Sequence, residues 1–408
     1  MLTGESILCF APDPWNDIWR NRHQIMSLLA EHNRVLYVEP RPYLREVLRH
    51  PLQGWGGPRV RTQRQAGPGA GLYVYRPPRY APLSGRRPLS TLTARWRVAS
   101  LRRAMRSLDM SATQGRAPIL WLYRPDMADV PGQLGEGLLI YHIVDEYGGY
   151  AALDAARAED IRRRERALIA RADLVLVTSQ ELLASKGGIN PNTHWVPNAV
   201  DYDRFASAVD ERRIPDDLAG LPRPWLGYVG AINDKLDLGL LLRVAERYPQ
   251  ATLLLVGPVR VQADEDRAAL EALRARPNVR FVGQVSVERV PAYVAALDVG
   301  LLPYKRNDWT RNIHPLKLYE YLACGLPVCS TDIPAVHEQA DVVRIAVDSE
   351  QFLADVAAAQ AEDAALVAER QRRAGANTWR QRVERISELI AQTRAACMEK
   401  DGCHAIGK

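Results

Sequence analysis

The sequence predicts an α/β chain of two doubly wound domains, and three observations carry that prediction. The 408 residues exceed what one ordinary core organises, so two domains of about 150–200 residues are expected. Short apolar runs alternate with helical patterns through both halves. Four runs of the first half are hydrophobic nearly throughout, as parallel strands covered by helices on both faces are.

In the first half "SILCFAP", "RVLYVEP", "GLYVYRP", "PILWLYRP", "GLLIYHIVDEY" and "ADLVLVTS" read as strands, each bounded by Pro, Gly or polar residues. A helix is expected near Trp19–Glu31, and "DAARAEDIRRRERALIARA" is a charged amphipathic helix between the last two strands. The second half repeats the plan with "WLGYVG", "ATLLLVGP", "VRFVGQV", "DVGLLPY" and "LPVCST", and with helices near 237–248, 264–275, 288–296 and 315–324. Between the halves "HWVPNAVDYDRF" reads as a strand end and a Pro-Asn turn, which places the boundary near Asp201. The tail "TWRQRVERISELIAQTRAA" sets Trp379, Val383, Ile386 and Ile390 on one helical face that needs a surface to cover. The expected division is 1–200, 201–376, and a last helix and tail, 377–408, packing back across both domains. Two Rossmann-like domains facing a cleft would bind ligands beyond the carboxyl ends of their strands. Those ends are Pro12–Asp17, Asp145–Tyr150, Gly230–Asp237, Gly283–Val285 and Tyr304–Lys317.

Composition narrows the class. With 47% apolar and 25% charged residues the chain is that of a globular protein. No apolar run approaches the roughly 20 residues that span a bilayer. The start, "MLTGESILCFAPDPW", lacks the basic and long apolar regions of a signal peptide, so a cytoplasmic location is expected. Five cysteines form no C-x-x-C pair, which argues against a disulfide framework and a zinc site. The net charge of +6 is uneven: residues 1–200 carry +9 and residues 201–408 carry −3. Residues 51–100 hold nine arginines and no acid. Within 76–106, Arg76, Arg79, Arg86, Arg87, Arg95, Arg97, Arg102, Arg103 and Arg106 are interleaved with Leu92, Trp96, Leu101 and Met105. Such a segment suits the anionic inner face of the plasma membrane, against the alternative of a solvated helix face. Nucleic acid is not expected as a partner, since no binding module surrounds it.

The most informative stretch is "HPLKLYEYLACGLPV". Pro315 suits the first helical position, where a missing N–H costs nothing. The free amides that follow, with the helix dipole, make an anion site for a diphosphate. Lys317 and Glu320, three apart, share a face, and Gly325 fits the position just past the helix end. The plain alternative is a Lys–Glu pair on an ordinary helix.

Together "KLYEYLACGLPV", "VPNAVDYDRF", "WLGYVGAI", "ATLLLVGP", "NVRFVGQV" and "LDVGLLPY" resemble, in order and over most of 120–335, the GT-B glycosyltransferases of family 4 (group 1), nearest to bacterial enzymes of surface polysaccharides. The resemblance implies a metal-independent, hexosyltransferase-type enzyme with no cofactor. It would move a sugar from a nucleotide diphosphate sugar to a cell-surface polysaccharide or lipid-linked acceptor. Glu320 matches the second glutamate of the family's Glu-x7-Glu pattern, which holds the donor ribose; the first falls on Asn312, a departure that leaves the sugar open. Gly230 matches the glycine near the diphosphate, and of the cations that usually follow only Lys235 is present. Gly283, Gln284 and Val285 match the nucleobase pocket, and His314, Pro315, Leu316 and Lys317 the helix start.

In the first domain Asp145 matches the position where relatives place His or Asp beside the acceptor. It would act as base or orienting group, against an Asp that merely satisfies its turn. Trp15, Trp19, Arg20 and Arg22 are candidates for the acceptor, against ordinary packing. His142, in mid-strand, reads as a core histidine. "GPGAG" (67–71) precedes a strand and reads as a loop. Two rival functions share the fold: a nucleotide-sugar 2-epimerase, and a non-catalytic nucleotide-sugar-binding scaffold. A dehydrogenase is disfavoured, since no G-x-G-x-x-G joins a strand to a helix.

Overall fold

The structure is a computed structural model that describes residues 1–49, 57–67, 69–81, 89–110, 116–149, 154–211, 213–362 and 365–405. Pro68, Arg86, Arg87 and Tyr150 lie outside the described residues. The chain forms two units. One takes Met1–Gly148, Asp154–Val196 and the chain from Arg382 on; the other is built mainly of Pro197–Gln381.

The first unit holds strands β1 (Ser6–Phe10), β2 (Arg34–Val38), β3 (Arg59–Gly67), β4 (Ala70–Arg76), β5 (Ile119–Leu122), β6 (Leu138–Ile143), β7 (Leu174–Val177) and β8 (Thr193–Trp195). They form one sheet in the order β3-β4-β2-β1-β5-β6-β7-β8. All pairings are parallel except β3 with β4. Strands β5, β6 and β7 are buried at every position, which explains their unbroken apolar runs. Strand β3, "RVRTQRQAG", is an exposed edge carrying three arginines, a composition that discourages further strand pairing. Of the "GPGAG" segment, Gly67 ends β3 and Ala70 and Gly71 open β4, with Gly67 opposite Ala70. The arginine-rich segment becomes the helix Leu89–Ser107 on the crossover from β4 to β5.

The second unit holds β9 (Trp225–Val229), β10 (Ile232–Asn233), β11 (Thr252–Val256), β12 (Val259–Arg260), β13 (Val279–Gly283), β14 (Val299–Leu302), β15 (Val328–Thr331) and β16 (Arg344–Ala346). Six of these make a wholly parallel sheet, β13-β11-β9-β14-β15-β16, and β10 pairs with β12 beside it. The helix Leu316–Ala323 lies low on this sheet because Gly300 of β14 has no side chain. A Cβ there would stand 2.5 Å from the Tyr321 ring. The buried Tyr321 hydroxyl then accepts the Val229 N–H at 3.0 Å, which fixes the helix against the end of β9.

The last helix, Trp379–Ala405, buries Trp379, Val383, Ile386 and Ile390, the four residues its pattern sets on one face. Within the first unit it is tied to the chain start. Ser387 Oγ accepts the Leu2 N–H at 2.9 Å, and Arg394 grips the buried Glu5 carboxylate with Nη2 at 2.8 Å. Among the described residues no helix is long and apolar enough to cross a membrane.

Candidate functional site

The second unit gathers several of the expected residues at the carboxyl ends of β9 and β11. Pro315 is the N-cap of the helix, not its first helical residue: its ψ of 126° is extended, and the helix begins at Leu316. The shift of one position follows from the turn before it. The Asn198 side chain donates to the His314 carbonyl at 2.6 Å and pins the residue ahead of the cap. The Leu318 N–H returns to the Pro315 carbonyl at 3.3 Å, so the amides of Leu316 and Lys317 are those left at the helix tip. His314 is buried and stacks on Tyr319, with 5.8 Å between ring centroids. At the other end Gly325, at φ 71°, closes the helix with Leu326 N–H to the Tyr321 carbonyl at 3.1 Å.

Lys317 Nζ stands 3.0 Å from Glu320 Oε2, and both side chains are nearly buried. The lysine stem lies along Gly230, where a Cβ would meet Lys317 Cε at 2.8 Å. Gly230 in turn lies under Gly257: a Cβ on Gly257, whose φ is 142°, would be 2.0 Å from the Gly230 carbonyl oxygen. The two glycines therefore meet backbone to backbone, with the Lys317 stem and the Tyr228 hydroxyl beside Gly230. This leaves backbone amides, one ammonium and one carboxylate in one place, the set that a diphosphate and a vicinal diol require.

The other candidates of this unit are held by contacts of their own. Lys235 Nζ sits 4.7 Å from the centroid of the Trp309 ring, held over its face. The Lys235 carbonyl accepts the Lys305 N–H at 2.9 Å, which joins the two loops. Asn312 follows the short helix Asp308–Arg311 and donates its side-chain amide to the Asp308 carbonyl at 2.7 Å. The position of the family's first glutamate thus holds a helix C-cap in this chain. Gly283 ends β13 with φ 84°; Gln284 is exposed and Val285 packs against the core. Strand β13 is separated from β9 by β11, so these three stand at the outer edge of the sheet.

Sequence reasoning missed Asn198, Gly257, Tyr228 and Trp309. Tyr228 and Tyr304 meet edge to face at 6.4 Å, and burial, then Tyr228, holds the Tyr304 phenol far above its ordinary pKa. The glycine that ends "LLLVGP" and the tyrosine of "LGYVG" were visible signals, but each is ordinary alone.

In the first unit Asp145 follows β6 and is half-buried. Its neighbours are firmly held. Lys186 Nζ bridges Glu146 and Glu165, each at 2.8 Å, and Tyr147 donates to the Tyr123 carbonyl. Of the aromatic loop, Trp15 is buried against Trp19, His23 and Tyr37, with centroids 5.0 to 5.5 Å away. Arg22 is buried and ion-paired to Asp13, while Arg20 Nε reaches the same carboxylate at 3.4 Å. Trp19 and Arg20 keep partial exposure.

His142 is a packed histidine. It stacks on Tyr123 at 5.0 Å, and neither ring nitrogen has a hydrogen-bond partner among the described residues. Burial, then the Arg22 charge, lowers its pKa to about 3. The arginine-rich helix separates its apolar residues: Leu101 and Met105 are buried, whereas Leu92 and Trp96 are 46% and 52% exposed. Among the described residues no cluster of His, Cys, Asp and Glu could hold a metal ion.

A family model described as group 1 glycosyl transferases matches residues 223–367, which contain Gly230, Gly257, Lys317 and Glu320. A protein of Bacillus subtilis (strain 168), provisionally named the teichuronic acid biosynthesis glycosyltransferase TuaH, is 29% identical over 239 residues. That stretch covers 56% of this chain and 59% of the relative, so about three fifths of the relative's length is spanned. The sucrose-phosphate synthase of Thermosynechococcus elongatus superposes with a TM-score of 0.69 at 19% identity, over 96% of this chain and all of that one. HepE of Anabaena, solved with UDP and glucose, gives 0.65 at 15% identity, over 95% of this chain and all of its own. At such identities the structural likeness is one of fold. Residues 223–367 are therefore a group 1 glycosyltransferase domain, in a chain of the two-domain GT-B fold.

Proposed function

We propose that the chain is a glycosyltransferase that moves a hexose-type sugar from a nucleotide diphosphate donor to a cell-surface polysaccharide or lipid-linked acceptor. The observation that carries this reading is the meeting of Gly230, Gly257, the tip of helix Leu316–Ala323, Lys317 and Glu320. The diphosphate would take the amides of Leu316 and Lys317 and the Lys317 ammonium, which swings off Glu320 as the ribose hydroxyls replace it. Lys235 adds positive charge from its place over Trp309, and Gly283–Val285 face the base. Positive charge from lysines and helix dipole would stabilise the departing diphosphate without a metal ion. Asn312 replaces a carboxylate by an amide at the sugar position, and so selects among donors.

In the first unit Asp145 is the proposed base for the acceptor hydroxyl, with Trp19 and Arg20 contacting the acceptor, and Trp15 and Arg22 supporting them from beneath. The exposed face of helix Leu89–Ser107, with Trp96, Leu92, Arg95, Arg103 and Arg106, supports a peripheral place on an anionic cytoplasmic leaflet.

The test is a thermal-shift screen of nucleotide sugars followed by assay of nucleoside diphosphate release with lipid-linked acceptors. A stabilising donor whose release depends on acceptor supports transfer. Sugar interconversion without acceptor, or donor binding without any turnover, overturns it. Co-sedimentation with acidic vesicles, lost on Arg95, Arg103 and Arg106→Gln, tests the membrane face.

A further inference from the structure

One ammonium in the first unit serves two carboxylates. Lys186, the last residue of the helix Gln180–Lys186, places Nζ 2.8 Å from Glu146 Oε2 and 2.8 Å from Glu165 Oε2. The lysine side chain is only 11% exposed, and those of Glu146 and Glu165 18% and 2%, so the three charges meet largely out of water. Glu165 comes from the middle of the helix Ala155–Arg171 and accepts the Tyr141 hydroxyl at 3.2 Å on its other oxygen. Burial raises the Glu165 pKa against the pull of the Lys186 charge, and Glu146 raises it further. Without the lysine, two half-dry carboxylates would face each other, an arrangement in which one of them must move or take a proton.

The three groups meet beside the turn that carries Asp145. The Thr178 N–H donates to the Ile143 carbonyl at 3.2 Å and its hydroxyl to the Val144 carbonyl at 3.5 Å, which extends the hold of β7 past the end of β6. Glu146 is pinned by Lys186, Tyr147 donates to the Tyr123 carbonyl, and Gly148 lies against the Arg162 stem, where a Cβ would meet Cγ at 2.8 Å. Asp145 therefore sits between residues fixed on both sides. Glu146, its neighbour in the chain, also matters by its charge, because a like charge close by disfavours an ionised carboxylate. On Lys186 that charge is neutralised where it stands. The other charged groups about this turn are Arg124 and Asp126 after β5, Arg22 of the helix Asn21–Leu29, and Arg162. Tyr147 registers them: burial, then Asp145, pushes its pKa up, while Arg124 and Arg22 pull it down.

We propose that Lys186 is a positioning residue for Asp145. By holding Glu146 and Glu165 on one ammonium, it fixes the turn after β6 and keeps a second negative charge off the Asp145 carboxylate. The inference rests on the reading of Asp145 as the base for the acceptor hydroxyl, since that role needs one carboxylate held in place and ready to take a proton.

Carbon-13 NMR of the full chain, labelled at the aspartate carboxyl carbons, tests it without donor or acceptor. The Asp145 signal is identified by its loss in Asp145→Asn. In Lys186→Met, Glu146 is set free beside Asp145, and the Asp145 titration midpoint should rise by about half a pH unit or more. Lys186→Arg keeps the cation and should leave the midpoint where it is in the parent. Lys186→Met combined with Glu146→Gln removes a neutral pair and should bring the midpoint back. Lys186→Gln, which can still donate to both acids, takes the place of Lys186→Met if that variant does not fold, with the same rise expected. An unmoved midpoint, or an equal rise when Glu146 is also Gln, overturns the proposal. Turnover of Asp145→Asn separates the two levels of the argument. Normal turnover there removes the base and this proposal with it. An inactive Asp145→Asn beside an unmoved midpoint in Lys186→Met removes the part of Lys186 alone.

Discussion

The two units use the same architecture for their polar groups in opposite ways. The second unit presents its chemistry through backbone: a helix tip, two glycines without side chains between them, and one Lys–Glu pair. The first unit puts polar side chains inside. His23, His142 and Arg22 are buried, and the hydroxyl of Tyr123 and both nitrogens of His142 lack partners among the described residues. The difference teaches that a constant ligand part, such as a diphosphate on a ribose, can be met by main-chain geometry that few sequences satisfy. A variable ligand must be met by side chains, whose roles depend on what surrounds them.

The largest expected effect lies in the first unit. If Asp145 takes the acceptor proton, Asp145→Asn keeps the shape and removes the base, so turnover should fall roughly 10²–10⁴-fold. Donor affinity, measured by calorimetry, should not move, because the proposed donor residues all belong to the second unit. Near-normal turnover would leave Asp145 with its turn alone, and the first unit with no reactive group.

The backbone character of the second unit is tested by its tightest glycine. Gly257→Ala sets a Cβ 2.0 Å from the Gly230 oxygen at a φ of 142°, and should cost about 3 kcal/mol or more, with loss of nucleoside diphosphate binding. Gly135→Ala in the first unit, at φ 70° with nothing within 4 Å, should cost only about 1–2 kcal/mol. Equal losses in urea denaturation would erase the distinction.

Glu320 gives the next effect. Its bonds to ribose hydroxyls would be worth roughly 1.5–3 kcal/mol, so Glu320→Ala should weaken nucleoside diphosphate binding about 10–100-fold. A 2′-deoxy nucleotide should lose affinity for the parent and little more for the variant. Losses that do not depend on the 2′-hydroxyl would return Glu320 to its pair with Lys317.

The contrast between the units also explains what could be read from sequence. Strands β5, β6, β7, β9 and β11 were legible because burial on both faces leaves an unbroken apolar run. Strand β3 was not, since an exposed edge paired on one side carries no apolar pattern, and β10 and β12 are two residues each. Lys317 and Glu320 were legible because helix spacing sets them on one face, and Gly230 because it closes a strand, but the meeting of Gly230 with Lys317 is tertiary. Pro315 was misplaced by one position because Asn198, more than a hundred residues away, fixes the turn before it. The face on Trp309 that receives Lys235 exists only through a tertiary contact.

The smallest expected effect tests whether the first unit's polar interior is packing alone. His142 has its pKa lowered from 6.5 to about 3, chiefly by burial and next by Arg22. Below pH 6.5 the unfolded chain binds a proton there that the folded chain refuses, so stability falls as pH drops from 6.5 towards 3 and is unaffected above that window. One pKa unit corresponds to about 1.4 kcal/mol, so His142 accounts for roughly 2 kcal/mol of lost stability at pH 5. His23, also lowered to about 3, adds a second contribution of the same sign. His142→Leu removes the first contribution and two unpartnered nitrogens, while a side chain of similar bulk remains against Trp121 and Tyr123. Urea unfolding followed by tryptophan fluorescence at pH 7 and pH 5 should then show the variant losing about 2 kcal/mol less than the parent between the two. An identical loss in both would mean that His142 accepts its proton within the fold, and is a working group rather than a packed one.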